Sequence, residues 1–321
     1  MRFLCLLALA FAPLACAQSD TAADVLDDVA VTPAAPPASN AEPVVAEAPV
    51  AELTAEAVAD PDAETAATFQ RILADAAAQG VAERPYGEIV QWVGEQLVGV
   101  PYVAGMLDAP PTEELVVSLT GFDCVLYIEN VLAISRMIAL GQTEYANYAA
   151  GVRALRYRGG GAPAYCSRLH YFTDWIRDNQ ARGTLRDVTA AAGGEPFDKT
   201  LDFMSSHRDA YRQLADDAAY ACVQDMEAGL RGAELVYIPQ DRIANAYAAL
   251  QPGDIIATAT SIGGLDVTHT GFVHQTAEAT GFMHASLSSN AVKVSPDLQA
   301  YVQGIRSQVG VIVARPLDPR R

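Results

Sequence analysis

Basic residues are scarce in this chain of 321 amino acids. It carries 21 Lys and Arg against 39 Asp and Glu, which gives a formal net charge of −18. Nucleic-acid-binding surfaces need clustered positive charge, so the composition argues against DNA or RNA as partners. Hydrophobic residues make up 51% of the chain, and its length is enough for one large domain or two small ones.

Long hydrophobic runs are also lacking, except at the N-terminus. The stretch MRFLCLLALAFAPLACAQ combines one arginine, an apolar run and small residues near a cleavage position, which is typical of a secretory signal over residues 1–17. Cleavage follows either the small-x-small pattern around Cys16 or a lipobox that makes Cys16 the acylated first residue. Both predict export to the periplasm or cell envelope, and the second adds a lipid anchor. No other run is long enough to span a membrane.

Residues 18–65 contain neither an aromatic nor a basic residue. They hold eleven Asp and Glu among many Ala, Pro and Val. Such a segment cannot bury enough apolar surface to fold, so the composition predicts a disordered tether. The globular part is then predicted to cover residues 66–321.

The hydrophobic pattern changes along the globular part. Helical spacing dominates up to about residue 157, whereas five short β-branched segments follow residue 252. Helices first and strands later favour an α+β fold with an antiparallel meander of about five strands. Residues 157–250 are less regular, and we predict there a helical and loop insertion that recognises the substrate.

Cysteine is scarce too, with five residues in all. Removal of the leader leaves Cys124, Cys166 and Cys222. An exported protein with three cysteines can form one disulfide and keep one thiol. We favour the pair Cys166–Cys222, which keeps Cys124 as the thiol; the alternative is that these cysteines are unpaired and buried.

Cys124 stands at the start of an apolar helix in the stretch TGFDCVLYIEN. Asp123 is a suitable N-cap residue, which puts Cys124 in the first turn. There the positive end of the helix dipole and the unpaired N–H groups stabilise a thiolate and can bind an oxyanion. The alternative is a packing role, because cysteine is among the most buried residue types.

Histidine is similarly rare, and two of the five histidines lie in consecutive predicted strands. In DVTHTGFV, alternation puts His269 on one inward face together with Val267. If the hairpin turns between residues 277 and 278, His284 lies diagonal to His269 on the same face. A base with an orienting partner is what a nucleophilic cysteine needs. His274 falls on the opposite face and is predicted to face solvent.

Four motifs occur in a characteristic order: PYVAGML, GFDCVLYIENVLA, DVTHTGFV and FMHAS. Together with RYRGGG, SRLHYFTDWIRDN and DFMSSH, they resemble the N-acetylmuramoyl-L-alanine amidase-like branch of the NlpC-type cysteine peptidases. The likeness covers roughly residues 85–315. It implies a papain-like α+β fold, in which a helix bearing the cysteine packs on an antiparallel sheet bearing the histidine. It also implies cleavage of peptidoglycan fragments.

The resemblance assigns roles to individual residues. Cys124 matches the nucleophile, His269 the general base and His284 the third, orienting residue. It also implies a tyrosine that lines the site, Tyr102, and the residue before the nucleophile, Asp123. The chain departs from the pattern directly after the cysteine, where many NlpC-type enzymes have serine and this chain has valine.

Three further residues are candidates for substrate recognition. Arg168 and His170, in the stretch SRLHYF, are predicted to bind a muropeptide carboxylate, since the arginine fork suits that geometry. Arg158, beside a glycine-rich loop, is predicted to act in the same way. The alternative for each arginine is an ion pair at the surface.

The expected function is that of an exported, monomeric, cysteine-dependent amidase that acts on muropeptides without a cofactor. The expected bond joins the lactyl group of the sugar to the stem peptide. A stem-peptide endopeptidase or an acyltransferase of the same fold remains an alternative. So does a non-catalytic module that binds the envelope, and so does a zinc hydrolase with Cys124, His269 and His284 as ligands.

Overall fold

The computed structural model describes residues 61–321. The predicted signal peptide, Cys16 and nearly all of the predicted tether lie outside these residues. Helix α1 spans Ala63–Ala78, and the Asp62 carboxylate caps it by accepting hydrogen bonds from the N–H groups of Glu64 and Thr65 at 3.0 and 2.8 Å. Helix α1 therefore begins three residues before residue 66, where the globular part was predicted to start. Within residues 61–321, no helix combines the length and apolarity needed to cross a membrane.

Three more helices complete the N-terminal helical layer. They are α2 (Tyr86–Glu95), α3 (Cys124–Leu140) and α4 (Tyr145–Arg156). Helix α3 is buried along almost its whole length, because α2 and α4 pack on it from the sides and the sheet packs on it from below. It ends at Gly141, whose φ of 65° suits the left-handed C-cap that glycine adopts without strain.

The predicted insertion contains both helices and strands. It comprises α5 (Phe172–Ala181), β1 (Leu185–Asp187), β2 (Glu195–Pro196), α6 (Phe203–Ser206), α7 (Asp217–Leu230), β3 (Val236–Pro239) and α8 (Ile243–Ala246). The prediction of helices and loops alone was wrong here. The three strands have two to four residues each, which is too short to show a period of two.

The C-terminal part supplies the rest of the sheet. Its elements are β4 (Ile255–Thr260), β5 (Val267–Gln275), β6 (Thr280–Ser286), β7 (Ala291–Ser295), α9 (Leu298–Gln303) and β8 (Gln308–Pro316). The sheet order is β2-β3-β8-β4-β5-β6-β7, and β1 also pairs with β8; all pairs are antiparallel. Five C-terminal strands were predicted correctly, but only four of them form a meander. The segment containing α9 carries the chain back, so β8 pairs with β4 and with insertion strands.

Both faces of the central strands are covered. On one face, Phe272 of β5 and Met283 of β6 belong to the core that includes α3. On the other face, their neighbours Val273 and Phe282 belong to a second core with Leu298 and other residues of α8 and α9. Alternation therefore separates two buried faces here, and the molecule is a mixed α+β protein built on an antiparallel sheet.

The insertion has a small core of its own, formed by residues such as Tyr171, Leu214 and Val223. A disulfide joins Cys166, just before α5, to Cys222 in α7, with Cα atoms 5.9 Å apart. This is the pairing that the sequence favoured. It ties the start of the insertion to its longest helix.

Candidate active site

Cys124 is the first residue of α3, as predicted. The Asp123 carboxylate caps the helix by accepting a hydrogen bond from the Leu126 N–H at 2.8 Å. Burial raises the pKa of Asp123, while the Leu126 N–H and the positive charge of Arg156 lower it. The helix start is thus a buried place with N–H groups and a positive dipole end, which is where a thiolate and an oxyanion are stabilised.

Strand β5 contacts this helix start directly. The Thr270 hydroxyl donates a hydrogen bond to the Cys124 carbonyl oxygen at 3.1 Å. His269 precedes Thr270 in the strand, so the fold brings the predicted base to within one residue of a contact with the predicted nucleophile. Because side chains alternate along a strand, Thr270 points to the α3 face and His269 to the α9 face.

The two predicted catalytic histidines form a hydrogen-bonded pair. His269 Nε2 lies 2.8 Å from His284 Nδ1. The pairing of β5 with β6, from Phe272 opposite Met283 to Gln275 opposite Thr280, places the hairpin turn between residues 277 and 278. The predicted turn and the predicted diagonal arrangement of the histidines are both confirmed.

A β-bulge decides which way His269 points. His269 lies opposite Thr258, whereas Val267 lies opposite Ala259, so Thr268 is the extra residue between them. The prediction that Val267 shares the face of His269 was wrong, because the bulge returns Val267 to the α3 side, where it joins that core. Bulges near active sites commonly re-aim one side chain in this way.

Gly271 allows the two histidine-bearing strands to approach. A Cβ atom at this position would lie 2.6 Å from the Met283 carbonyl oxygen and 2.8 Å from His284 Cβ. Both distances are too short for any side chain. The absence of a side chain at Gly271 therefore gives His284 the space it occupies beside His269.

The histidine pair continues to a third polar group and is enclosed by aromatic rings. His284 Nε2 lies 3.1 Å from the Ser295 Oγ in β7. The Phe282 ring stacks on His284 with centroids 4.6 Å apart, and Tyr301 of α9 lies 4.7 Å from the same imidazole. The sequence analysis did not identify Ser295. Its strand was predicted, but the pairing partner of that strand was unknown.

Burial keeps both histidines neutral. It lowers the pKa of His269 to about 3. It also lowers the pKa of His284 to about 2, with smaller contributions from His269 and the nearby Lys293. A neutral imidazole carries one donor and one acceptor nitrogen, so the pair can pass a proton only if its tautomers are suitable.

Tyr102 lies beside the helix start, where it was predicted. Its N–H donates to the Asn290 carbonyl at 3.1 Å. Tyr102 also forms an isolated β-bridge with Phe122, the residue before Asp123. The side chain is buried, and burial followed by the charge of Asp123 raises its pKa. Tyr102 therefore forms part of the wall around the start of α3.

Arg168 is buried and binds a loop of the protein itself. Its guanidinium donates to the Leu107 carbonyl at 3.1 Å and to Asp108 at 2.7 Å, and its Nε lies 3.7 Å from Glu113. The alternative of a surface ion pair was wrong for this residue, because the side chain is only 7% exposed. Asp108 is close enough to Asp123 to raise its pKa, so Arg168 holds this loop near the helix start.

The other two recognition candidates also have partners within the insertion. The Arg158 guanidinium pairs with Asp174 while 39% of its side chain stays exposed. His170 Nε2 lies 2.8 Å from the Tyr165 carbonyl oxygen, and burial, then the charge of Arg168, lowers the pKa of His170 to about 3. A substrate contact by these two residues stays a prediction.

His274 does not face solvent, contrary to the prediction. Its Nε2 lies 3.0 Å from the Glu95 carboxylate at the end of α2, and the side chain is 18% exposed. It does lie on the opposite face from His269, as alternation requires. No sequence spacing links β5 to the end of α2, so the partner was not predictable. Among residues 61–321, no group of three or more His, Cys, Asp and Glu side chains is placed to hold a metal ion.

Several known proteins are similar to this chain. Residues 92–310 match the AmiA-like family, described as N-acetylmuramoyl-L-alanine amidase-like. A crystal structure of an N-acetylmuramoyl-L-alanine amidase from Bacteroides uniformis is 33% identical, covers 72% of this chain and 98% of its own, and has a TM-score of 0.68. A comparison with curated proteins finds no match.

Two further structures share the fold. A Bacteroides fragilis protein, whose name proposes a xylanase activity, is 32% identical over 70% of this chain and 99% of its own, with a TM-score of 0.65. A Legionella pneumophila protein is 18% identical over 79% of this chain and 97% of its own, with a TM-score of 0.56, and shows the fold alone. From the family match and the 33% identity over nearly the whole Bacteroides uniformis amidase, this chain belongs to the N-acetylmuramoyl-L-alanine amidase-like family.

Proposed function

We propose that this protein is an exported, cysteine-dependent amidase of the NlpC-type, papain-like class that cleaves muropeptides between the lactyl group and L-alanine. The observation that carries the proposal is the His269–His284 pair, which Thr270 links to the first residue of the Cys124 helix. Membership of an amidase-like family favours a peptidoglycan hydrolase. The proposed location is the periplasm or the cell envelope, and acylation of Cys16 would add a lipid anchor.

In the proposed reaction, the reduced form of Cys124 is the nucleophile. Its proton moves to His269 Nδ1 as the sulfur attacks the lactyl carbonyl carbon, and N–H groups at the start of α3 stabilise the oxyanion. The C–N bond then breaks, and the amine of L-alanine leaves with the proton from His269. Water, deprotonated by the same nitrogen, attacks the thioester and releases the carboxylic acid and the thiol.

His284 has an orienting role in this scheme. Because His269 Nε2 is engaged with His284, the other ring nitrogen, Nδ1, is the one available to the thiol. The third residue of a catalytic triad fixes the tautomer and the direction of the base in this way. Burial lowers the pKa of His269, so the ring is neutral before the reaction, although the same burial makes it a weaker base.

Substrate recognition is proposed to involve the insertion and the loop that it holds. Arg168 fixes residues 107–113 near Asp123, and Tyr102 also lies close to Asp123. The partly exposed guanidinium of Arg158 remains a cation that a stem-peptide carboxylate can approach. We propose that His170 supports Arg168 from within the same stretch.

Mass spectrometry of muropeptides incubated with wild-type protein and with Cys124→Ala tests the proposal. We expect wild-type protein to separate the sugar from the intact stem peptide, and Cys124→Ala to lose about three orders of magnitude or more in kcat. Ser135→Ala on the same helix is the matched control, because the Ser135 hydroxyl donates to the Val131 carbonyl within α3, away from the helix start. Equal turnover by wild type and Cys124→Ala would contradict the proposal.

The products and inhibitors distinguish the alternatives. Cleavage within the stem peptide indicates an endopeptidase, and transfer to an added amine indicates an acyltransferase. Loss of activity on chelation, together with resistance to thiol alkylation, indicates a metal-dependent hydrolase. Muropeptide binding without any turnover indicates an envelope-binding module.

A further inference from the structure

We propose that Ser295 is a positioning residue that sets the tautomers of both histidines. Its catalytic consequence rests on the proposed function, but its effect on the tautomers does not. Ser295 is buried, lies opposite Phe282 in the β6–β7 ladder and therefore sits diagonal to His284. Its hydroxyl extends the chain from His269 through His284 to a third polar group, at 2.8 and 3.1 Å.

Two proton arrangements fit these three groups. In the first, each imidazole carries its proton on Nε2, so that His269 donates to His284 and His284 donates to Ser295 Oγ. His269 Nδ1 is then unprotonated and can accept the thiol proton. In the second, Ser295 donates to His284, His284 Nδ1 donates to His269 Nε2, and His269 Nδ1 already carries a proton.

Only the first arrangement supports a base at His269. When His269 Nδ1 takes up a proton, its Nε2–H keeps donating to His284, so no other proton has to move. The second arrangement offers the thiol an N–H where an acceptor is required. The Ser295 hydroxyl makes the first arrangement possible, because its oxygen can accept the His284 Nε2 proton and so leave His284 Nδ1 as an acceptor.

The surroundings make Ser295 important for this choice. Phe282 and Tyr301 enclose the His284 ring, and apolar ring faces are poor substitutes for a hydroxyl acceptor. Lys293 lies directly opposite His284 in the β6–β7 pairing, and its positive charge disfavours protonation of that imidazole. Loss of the Ser295 hydroxyl leaves a buried Nε2–H without this acceptor, so the proton shifts toward Nδ1 and the base is lost for part of the time.

Nitrogen-15 NMR of the histidine side chains tests the inference without any substrate. The chain has only five histidines, and the Nδ1–H and Nε2–H tautomers give distinct patterns of coupling to the ring carbon-bound protons. We expect His269 and His284 of the wild-type protein to be neutral, with the proton on Nε2. We expect Ser295→Ala to move His284 toward the Nδ1 tautomer, and Ser295→Thr to restore the wild-type pattern.

Kinetics on muropeptides give the second readout. Ser295→Ala should lower kcat about tenfold or more with little change in KM, since such outer partners typically contribute 10- to 100-fold. Ser295→Thr should recover most of the rate, and Ser135→Ala should leave it unchanged. A merely structural loss would alter folding but would not move the tautomers in step with kcat.

The outcomes separate the two proposals. Wild-type protein with the His284 proton on Nδ1 overturns the inference, even if no variant folds. Unchanged tautomers and unchanged kcat in Ser295→Ala overturn it while leaving the amidase intact. If the wild-type protein turns over no muropeptide, the proposed function fails, and the NMR result still decides the role of Ser295.

Discussion

Gly271 shows how much the site depends on single residues. It lies in β5, beside β6, and a Cβ there would lie 2.6 Å from the Met283 carbonyl oxygen of β6. A backbone atom cannot move aside as the end of a flexible side chain can. The spacing of His269 and His284 therefore requires a residue without a Cβ atom at position 271.

We predict that Gly271→Ala lowers kcat/KM for muropeptides by at least about tenfold and destabilises the protein by about 1–3 kcal/mol, because overpacking forces the strands apart. Gly229→Ala is the matched control, since a Cβ at that position of α7 meets no atom within 4 Å. A helical Gly→Ala change of this kind should be neutral or stabilising by up to about 1 kcal/mol. Activity and urea unfolding are the measurements, and equal behaviour of the two variants would contradict the prediction.

His170 links stability to pH at the residue scale. Burial lowers its pKa from 6.5 to about 3 in the folded state. Between these values the unfolded chain binds a proton that the folded chain does not, so stability is fully present above pH 6.5 and is lost as the pH falls. The hydrogen bond from His170 Nε2 to the Tyr165 carbonyl oxygen opposes this fall in pKa but does not reverse it.

We therefore expect the difference in unfolding free energy between wild type and His170→Gln to shrink when the pH is lowered from 7.5 to 5. Urea unfolding at the two pH values measures it, and the other titrating groups cancel in the difference. The same comparison with His207→Gln serves as a control, because His207 is exposed and bonds the Phe203 carbonyl of α6, the short helix that ends just before it. A difference that grows toward pH 5 would mean that folded His170 takes up the proton.

At the scale of elements, a buried ion pair joins three helices. Arg156, at the end of α4, binds Glu129 in α3 at 2.7 Å and also donates to the Val116 carbonyl at 2.6 Å. Trp175 of α5 donates to the same carboxylate at 3.3 Å. Both charged side chains are 1% exposed, so each one depends on the other for compensation.

We predict that Arg156→Met destabilises the protein by about 3–5 kcal/mol, because it leaves a buried carboxylate without its cation. The double variant Glu129→Gln/Arg156→Met should be less destabilised than the single one, since it removes both charges. Urea unfolding of the wild type, both single variants and the double variant measures the coupling. Additive losses in the double variant would show that the two side chains act independently.

Much of the site could be predicted from the sequence of its helices and strands. The features that were not predicted have a common physical reason. Asp123 and Cys124 are governed by local helix capping, and the hairpin between β5 and β6 by the strand pattern, so both were found. The bulge at Thr268, the return of β8 to β4 and the pairing of β7 that brings Ser295 to His284 are set by tertiary packing. A single sequence carries no local signal for them.

At the scale of the whole molecule, the insertion has two structural roles. It extends the central sheet, and it forms a small core of its own; the sequence pattern did not distinguish the segments that do each. Its strands β1 and β3 extend the central sheet by pairing with β8. It also has a small core of its own and the Cys166–Cys222 disulfide. Arg168, two residues after Cys166, binds the loop of residues 107–113. The histidine pair, in contrast, lies on β5 and β6, which the insertion strands do not pair with.

This division predicts the effect of removing the disulfide. The bridge spans a sequence separation of 56 residues, so the double variant Cys166→Ala/Cys222→Ala should lose about 2–5 kcal/mol of stability. Arg168 follows Cys166 by two positions, so we expect KM for muropeptides to rise several-fold, while kcat stays within about twofold of wild type because the histidines keep their positions. Thermal unfolding and steady-state kinetics below the lowered Tm measure both effects. The Cys124→Ala variant shows the loss expected without the nucleophile, and a fall in kcat as large as in that variant would mean that the insertion core also positions the reacting groups.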